Sequence, residues 1–406
     1  MNAEAQAMLA PRTASGALMK QHLIDPEICI RCNTCEETCP SSAIVHNDDN
    51  YAVLSDICND CGKCLDPCPT GAIRSWRDVE EAHSVDAQLG WSELPTQKVW
   101  LAREERPAQP EHAAPEVLAV SELGLAPCAP SSASRPVVNR FKRNQPATAT
   151  VVANVRLTAE SSDTEVRHVV LSFADGTFPV LEGQSVGIAM PGTDARGKRH
   201  AIRQYSIASP RHGEAGDGNA IALTVKRVPG GLCSNHLCDL PEGASIEVTG
   251  PFGATFLMPD DPAANLLMVC TGTGVAPFRG FIERRRQAMQ QASGKVELCF
   301  GSQTPEAMPY VDYLNDLPSS AVRQELCYSR QPDQPRVYVQ DRIRASVVRM
   351  SALLRDGLTH LYVCGLKGME QGVEEALADV CTASGLDWGC VKATMRASGR
   401  YHVETY

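Results

Sequence analysis

The sequence contains no run of 18 apolar residues, so no membrane-spanning helix and no membrane partner are expected. Its first 20 residues have neither the continuous apolar stretch nor the cleavage site of a signal peptide, and 1–20 reads as a short flexible tail. Positive charge is in short supply: 38 Lys and Arg face 48 Asp and Glu, a formal net charge of −10. That balance predicts no nucleic-acid partner, which would need a basic stripe. It is compatible with an acidic face that docks an electron-transfer partner, without showing one. The G-x-G-x-x-G fingerprint of the standard dinucleotide fold is missing as well.

Cysteine, by contrast, is plentiful, at 17 residues. Nine are scattered: Cys128, Cys233, Cys238, Cys270, Cys299, Cys327, Cys364, Cys381 and Cys390. Without a secretion signal this spread implies a reducing compartment, a cytoplasmic location and no disulfide framework. The other eight form two runs with a period of 29 residues: Cys29, Cys32, Cys35 and Cys39-Pro40, then Cys58, Cys61, Cys64 and Cys68-Pro69. The flanks repeat too, Pro40-Ser-Ser-Ala-Ile44 against Pro69-Thr-Gly-Ala-Ile73, which marks a duplicated half-domain over 21–80.

The expected fold class is multidomain, α+β and α/β. After the duplicated unit, 81–147 is rich in Pro, Ala and Glu and reads as a long linker, extended in part and docked in part. Over 148–260 short β-rich runs (Val169–Phe173, Ser185–Met190, Tyr205–Pro210, Ala220–Val228, Ser245–Thr249) predict an antiparallel β-barrel. Over 261–406 apolar runs at Leu266–Cys270, Val296–Phe300, Glu325–Tyr328 and His360–Cys364 alternate with helical segments such as Phe278–Gln291 and Glu370–Ala383, which predicts a parallel sheet covered on both faces.

C-x2-C-x2-C-x3-C-P is the run found in bacterial ferredoxins, and here it occurs twice. Three cysteines on one tight loop reach three irons of one cubane; the fourth turns away to the other cluster. The expected ligand sets are therefore Cys29, Cys32, Cys35 and Cys68 for one [4Fe–4S] cluster, and Cys58, Cys61, Cys64 and Cys39 for the other. The competing reading is zinc, which more often uses two C-x2-C pairs from separate loops.

Four further segments carry candidate chemistry. In Arg203-Gln-Tyr-Ser206 a guanidinium suits a pyrophosphate, a ring can stack on an isoalloxazine and a hydroxyl can reach its reactive nitrogen; a barrel strand with an outward Arg and Tyr would look the same. Gly230-Gly231-Leu-Cys-Ser234 reads as a Gly-rich turn into a helix with Ser234 near its N-cap, an anion-binding geometry or an ordinary helix start. Cys270-Thr271-Gly272-Thr273-Gly274-Val-Ala-Pro277 follows an apolar strand, with Gly272 and Gly274 letting backbone approach a ligand. Cys364-Gly-Leu-Lys-Gly-Met-Glu370 is a second strand–Gly–helix unit, and the chain ends in Glu404-Thr-Tyr406 after a short strand.

In this order, with Gly250-Pro-Phe-Gly253 between them, these segments resemble the plant-type ferredoxin–NADP⁺ reductase family over 148–406. The resemblance implies a barrel that binds FAD and a domain that binds NADP(H). It implies FAD contacts at Arg203, Tyr205, Ser206, Gly231 and Ser234, and a nicotinamide-nucleotide loop at Thr271, Gly272, Thr273 and Gly274. Ser206, Cys364 and Glu404 fall beside the hydride path, and Tyr406 becomes the terminal ring that stacks on the flavin. Ser329-Arg330, Arg336 and Tyr338 fall at the family's 2′-phosphate site, favouring NADPH; solvated loop charges are the competing reading.

A two-cluster ferredoxin fused to such a reductase resembles the reductase components of benzoyl-CoA 2,3-epoxidase (benzoyl-CoA oxygenase) systems. That resemblance implies a diiron oxygenase partner as electron acceptor and leaves a homodimer open. A nicotinamide delivers two electrons at once and a cubane takes one, so FAD must stand between them. Alternatives are an enzyme working in the NADP⁺-reducing direction, or an electron-transfer subunit of a larger complex.

Overall fold

The computed structural model describes residues 19–26, 29, 35–36, 39–47, 50–65, 72–73, 77–79, 82–91, 94–95, 128–138, 140–142, 145–174, 176, 178–193, 200, 202–214, 216, 218–288 and 292–405. Cys32, Cys68 and Tyr406, three expected site residues, lie outside them.

Among the described residues the N-terminal unit has four short strands, β1 (Met19–Gln21), β2 (Ile44–His46), β3 (Tyr51–Val53) and β4 (Arg77–Val79), paired antiparallel as β1–β4 and β2–β3. The duplication is visible atom by atom. Asp25 N–H donates to Ala72 O and Leu54 N–H to Ala43 O, each at 2.8 Å; Cys29 N–H donates to Asp25 O and Cys58 N–H to Leu54 O, each at 2.9 Å. Helix α1 (Val85–Leu89), inside the segment expected to be linker, docks here. Ser84 caps it by accepting the Ala87 N–H, and the buried Gln88 amide exchanges two hydrogen bonds with the Val53 backbone at 3.0 and 3.1 Å.

The six-stranded antiparallel sheet contains β5 (Ala147–Arg156), β6 (Val166–Ser172), β7 (Ser185–Ala189), β8 (Arg203–Ser206), β9 (Ala220–Lys226) and β10 (Ser245–Phe252), in the order β8-β7-β10-β5-β6-β9. Its ends meet: Ile207 bridges Leu223, and Ala208 N–H donates to Ala222 O at 2.7 Å, which closes the barrel. Alternating residues such as Val151, Val169, Leu171, Ile188 and Leu223 fill its interior, with Leu237 of helix α2 (Leu232–Asp239) plugging one end.

The remaining strands, β11 (Asn265–Thr271), β12 (Val296–Ser302), β13 (Arg323–Tyr328), β14 (Thr359–Gly365) and β15 (Tyr401–Thr405), are all parallel in the order β13-β12-β11-β14-β15. Helices α3 (Ala276–Ala288) and α4 (Val311–Asn315) cover one face, burying Phe278, Phe281 and Leu314. Helices α5 (Val339–Ala345), α6 (Val347–Arg355), α7 (Lys367–Ala383) and α8 (Trp388–Ala397) cover the other, burying Ile343, Leu353, Leu377 and Met395. Strand order reverses between β12 and β14 around β11, the switch point at whose carboxyl ends such sheets leave a crevice. No helix among the described residues is long and apolar enough to cross a membrane.

Segment 128–142 runs over both larger domains. Val137 O accepts from the buried Gln184 amide at 3.0 Å, Phe141 exchanges 2.8 Å backbone bonds with Gly250, and Ser134 hydrogen-bonds Asp260.

Candidate functional site

The first site is the cysteine cluster. Because the duplicated halves pair crosswise, the stretch after Cys39 (Ala43, Ile44) lies on the stretch before Cys58 (Val53, Leu54). That pairing carries Cys39 out of its own run: it lines one small pocket with Cys58, Cys61, Cys64 and His22. Cys29 and Cys35 sit buried in the same apolar unit. Desolvation raises the Cys39 thiol, but hydrogen bonds from Ser41 and from the Ala43, Ser41 and Ile44 backbone leave it below its ordinary value. Cys64 is pushed up to about 11, by desolvation first and then by the charges of Cys58, Cys39 and Cys61. Four mutually repelling thiolates need positive charge among them, which an iron–sulfur core supplies. Among the described residues no three His, Cys, Asp or Glu side chains converge on a single-ion position. Four sulfurs around one shared pocket, with His22 beside them, fit a cluster.

The second site lies on the barrel rim. Strand β8 pairs with β7, setting Tyr205 opposite Val186 and Ser206 opposite Ser185. Arg203 is exposed there, and Tyr205 and Ser206 are half-buried. Desolvation and the adjoining Cys233 thiol push the Tyr205 phenol up, so the α2 start lies beside β8. The N-cap of α2 is Gly231, not Ser234. Ser234, one turn in, accepts the Val228 N–H at 3.2 Å, and a Cβ on Gly231 would press on that Ser234 hydroxyl.

The third site is a cavity of about 640 Å³ at the carboxyl ends of the parallel strands. Thr271, Gly272, Thr273, Ser329, Arg330, Arg336 and Tyr338 line it, so the nucleotide-loop residues and the 2′-phosphate candidates share one space. Arg330 N–H donates to Gln303 O at 2.7 Å and its guanidinium reaches Gln303 Oε1 at 3.1 Å, while Arg336 stands exposed. Sequence reasoning missed Lys226, which projects into the cavity from β9 of the barrel. Its signal is a basic residue ending an apolar strand just before the Gly230-Gly231 turn.

Gly274 differs from expectation. Gly272 has φ +56 and open space beside it, as a ligand-facing glycine should. A Cβ on Gly274 would instead run into the Cys364 carbonyl, so that glycine packs two loops together.

Cys364 and Glu404 are Cα partners on β14 and β15. Desolvation, and then the Glu404 charge, raise the buried Cys364 thiol, which stays protonated. Desolvation pushes the Glu404 carboxyl up to about 8. Ser206 stands on β8 of the barrel sheet, whereas this pair stands on the parallel sheet.

Known proteins resemble separate parts of this arrangement. Three family patterns match: an oxidoreductase FAD-binding domain over 153–256, an oxidoreductase NAD-binding domain over 268–375 and a 4Fe-4S dicluster domain over 28–73. The chain is 36% identical to the cyanelle ferredoxin–NADP reductase of Cyanophora paradoxa over 287 residues, 66% of this chain and 79% of that protein. It is 34% identical to the chloroplastic ferredoxin–NADP reductase of Spinacia oleracea over 287 residues, 66% of this chain and 78% of the other. Ferredoxin-NADP+ reductase from Plasmodium falciparum superposes with a TM-score of 0.52 at 22% identity, over 66% of this chain and 99% of that one, a likeness of fold.

Proposed function

Since the chain belongs to the ferredoxin–NADP reductase family and is an NADPH-dependent flavin oxidoreductase with a 4Fe-4S domain, we propose that it passes single electrons from FAD through two [4Fe–4S] clusters to a protein acceptor. One cluster is held by Cys29, Cys32, Cys35 and Cys68, the other by Cys58, Cys61, Cys64 and Cys39. The observation that carries this reading is Cys39 lining the pocket of the second run, as crossed ligation requires.

FAD, when bound, supplies the conversion of a two-electron donor into single electrons. The chain's own residues bind and orient. Lys226, Arg330 and Arg336 supply positive charge to the coenzyme phosphates, with Ser329 and Tyr338 beside them. Thr271, Gly272 and Thr273 line the same cavity. Arg203, Tyr205, Ser206, Gly231 and Ser234 would hold the flavin, and Tyr406 would complete its site. Glu404, protonated near neutrality, holds a proton beside the neutral Cys364 thiol, where burial makes an anion costly.

The acceptor is a diiron oxygenase of the benzoyl-CoA 2,3-epoxidase kind, in aerobic benzoate degradation in the cytoplasm. Domain order and cluster motifs support that choice; no residue of this chain reads as an acyl-CoA site. The relatives are ferredoxin–NADP reductases, which favours as a second reading the NADP⁺-reducing direction. One experiment tests the core reading: an anaerobic NADPH titration followed by absorbance and EPR, after counting iron, sulfide and flavin. Flavin bleaching followed by cubane EPR signals is expected. Zinc in place of iron and sulfide, or no bound flavin, overturns it. Midpoint potentials separate the two directions.

A further inference from the structure

We propose that the cluster pocket of Cys39, Cys58, Cys61 and Cys64 is the higher-potential end of the N-terminal unit and the point where electrons leave the protein, and that His22 sets the difference. The inference rests on the two-cluster reading above and assigns an order to the clusters.

Where both halves are described they repeat: the paired 2.8 Å and 2.9 Å hydrogen bonds at Asp25, Leu54, Cys29 and Cys58 agree to a tenth of an ångström. Unlike side chains on these matched positions make the two ends inequivalent. A shift of 29 residues carries Cys29 onto Cys58 and His22 onto Tyr51. His22 is 1% exposed and lines the pocket with the four sulfurs, its Nε2 3.4 Å from Asp60 Oδ1. Tyr51 stacks on His46 at 4.8 Å instead. Even neutral, an imidazole brings a strong ring dipole and an N–H donor beside a cluster that gains negative charge on reduction; a phenol ring lying on another ring brings less. Asp60 opposes this, but its carboxylate is 59% exposed and screened by water.

Water access points the same way. At the equivalent positions Cys58 is half-buried where Cys29 is 8% exposed, Cys64 and Cys35 are 8% exposed alike, and Cys61 is exposed while its counterpart Cys32 lies outside the described residues. Solvent stabilises the reduced cluster, and nearness to the surface shortens the path to a partner. Ile57, 49% exposed beside Cys58, offers that partner an apolar contact, with the exposed Asp56, Asn59 and Asp60 near it in the chain.

The test is an EPR-monitored reductive titration of the holoprotein. His22→Tyr should lower the upper cluster potential and narrow the gap between the two steps, with the flavin step unmoved. Tyr51→His should raise the lower one, and remains informative if the first variant fails to fold. The ordering is overturned if His22→Tyr moves the lower step or neither. Exit is read with cytochrome c, a cationic protein probe. Ile57→Lys should slow its reduction several-fold while flavin bleaching by NADPH keeps its rate, and an unchanged rate overturns the exit assignment. Wild-type iron and sulfide content for one cluster only would defeat the two-cluster reading itself; content for two, with no shift in either variant, defeats this inference alone.

Discussion

Arg279 clasps Glu214 across the boundary between the parallel domain and the barrel, donating from Nη1 to Oε1 at 2.6 Å and from Nη2 to Oε2 at 2.9 Å. Nη1 also reaches Ala208 O at 2.9 Å, and the guanidinium lies 5.5 Å from the ring centres of Tyr310 and Tyr313. Tyr310 in turn bonds His168 at 2.9 Å and Thr224 at 2.7 Å, both on barrel strands. Arg279 sits one turn into α3, the helix that the Gly272 loop opens, so this clamp positions the nucleotide loop over the barrel rim.

The pair is partly buried, and His168 Nε2 lies 3.6 Å from the same carboxylate, so removing the guanidinium loses charge-assisted hydrogen bonds at a cost of about 1.5–3 kcal/mol. Arg279→Ala should therefore lower the melting temperature and slow flavin reduction by NADPH, while 2′-phosphate affinity, set in the cavity, changes little. Calorimetry and stopped-flow absorbance check this; an unchanged melting temperature refutes the clamp.

Acid should destabilise the protein from near pH 6.5 downward. Desolvation lowers His360 to about 4 and His402 to about 3, from an ordinary 6.5. Between those values the unfolded chain binds protons that the folded one refuses, so stability falls as pH falls, by up to about 1.4 kcal/mol per unit for each histidine. His402 stacks on Tyr362 at 4.5 Å, so His402→Phe keeps the ring contact. Urea midpoints at pH 7 and pH 5 should differ less in that variant than in the wild type.

Glu404 shifts the opposite way. Its folded value near 8 lies above the ordinary 4.5, so ionising it costs folding energy increasingly between those values. Glu404→Gln should raise stability at pH 8 and remove a pH dependence centred near 8 from the rate of flavin reduction. A profile unchanged by the substitution would falsify its role beside the hydride path.

Arg330 and Lys226 approach one cavity from different domains. Losing a charge-assisted contact to a phosphate costs about 1.5–3 kcal/mol, or roughly 10- to 100-fold in binding. Arg330→Ala should raise the KM for NADPH by about that factor with NADH little affected, whereas Lys226→Ala should weaken both coenzymes. Steady-state KM ratios decide between them.

The two glycines of the nucleotide loop should respond unequally. Gly272→Ala strains a positive φ in open space and should cost about 1 kcal/mol. Gly274→Ala drives a methyl into the Cys364 carbonyl and should cost several times more, read as a much larger loss in urea midpoint.

The sequence by itself determined what depends on spacing: the duplicated cysteine-bearing unit, the barrel followed by a parallel sheet, and the Gly272 loop. Each follows from a short-range rule, whether the reach of a loop, the two-residue period of a strand or a positive φ. Charged helices such as α5 and α6 were not legible, because their apolar positions, Ile343 and Leu353, show a stripe only once the sheet face beneath is known. Only the tertiary structure decided that Gly274 packs against Cys364, that Lys226 enters the coenzyme cavity from the barrel, and that Arg279 clasps Glu214, 65 residues away. Those relationships join segments far apart in the chain, and no local periodicity encodes which distant surface a side chain will meet.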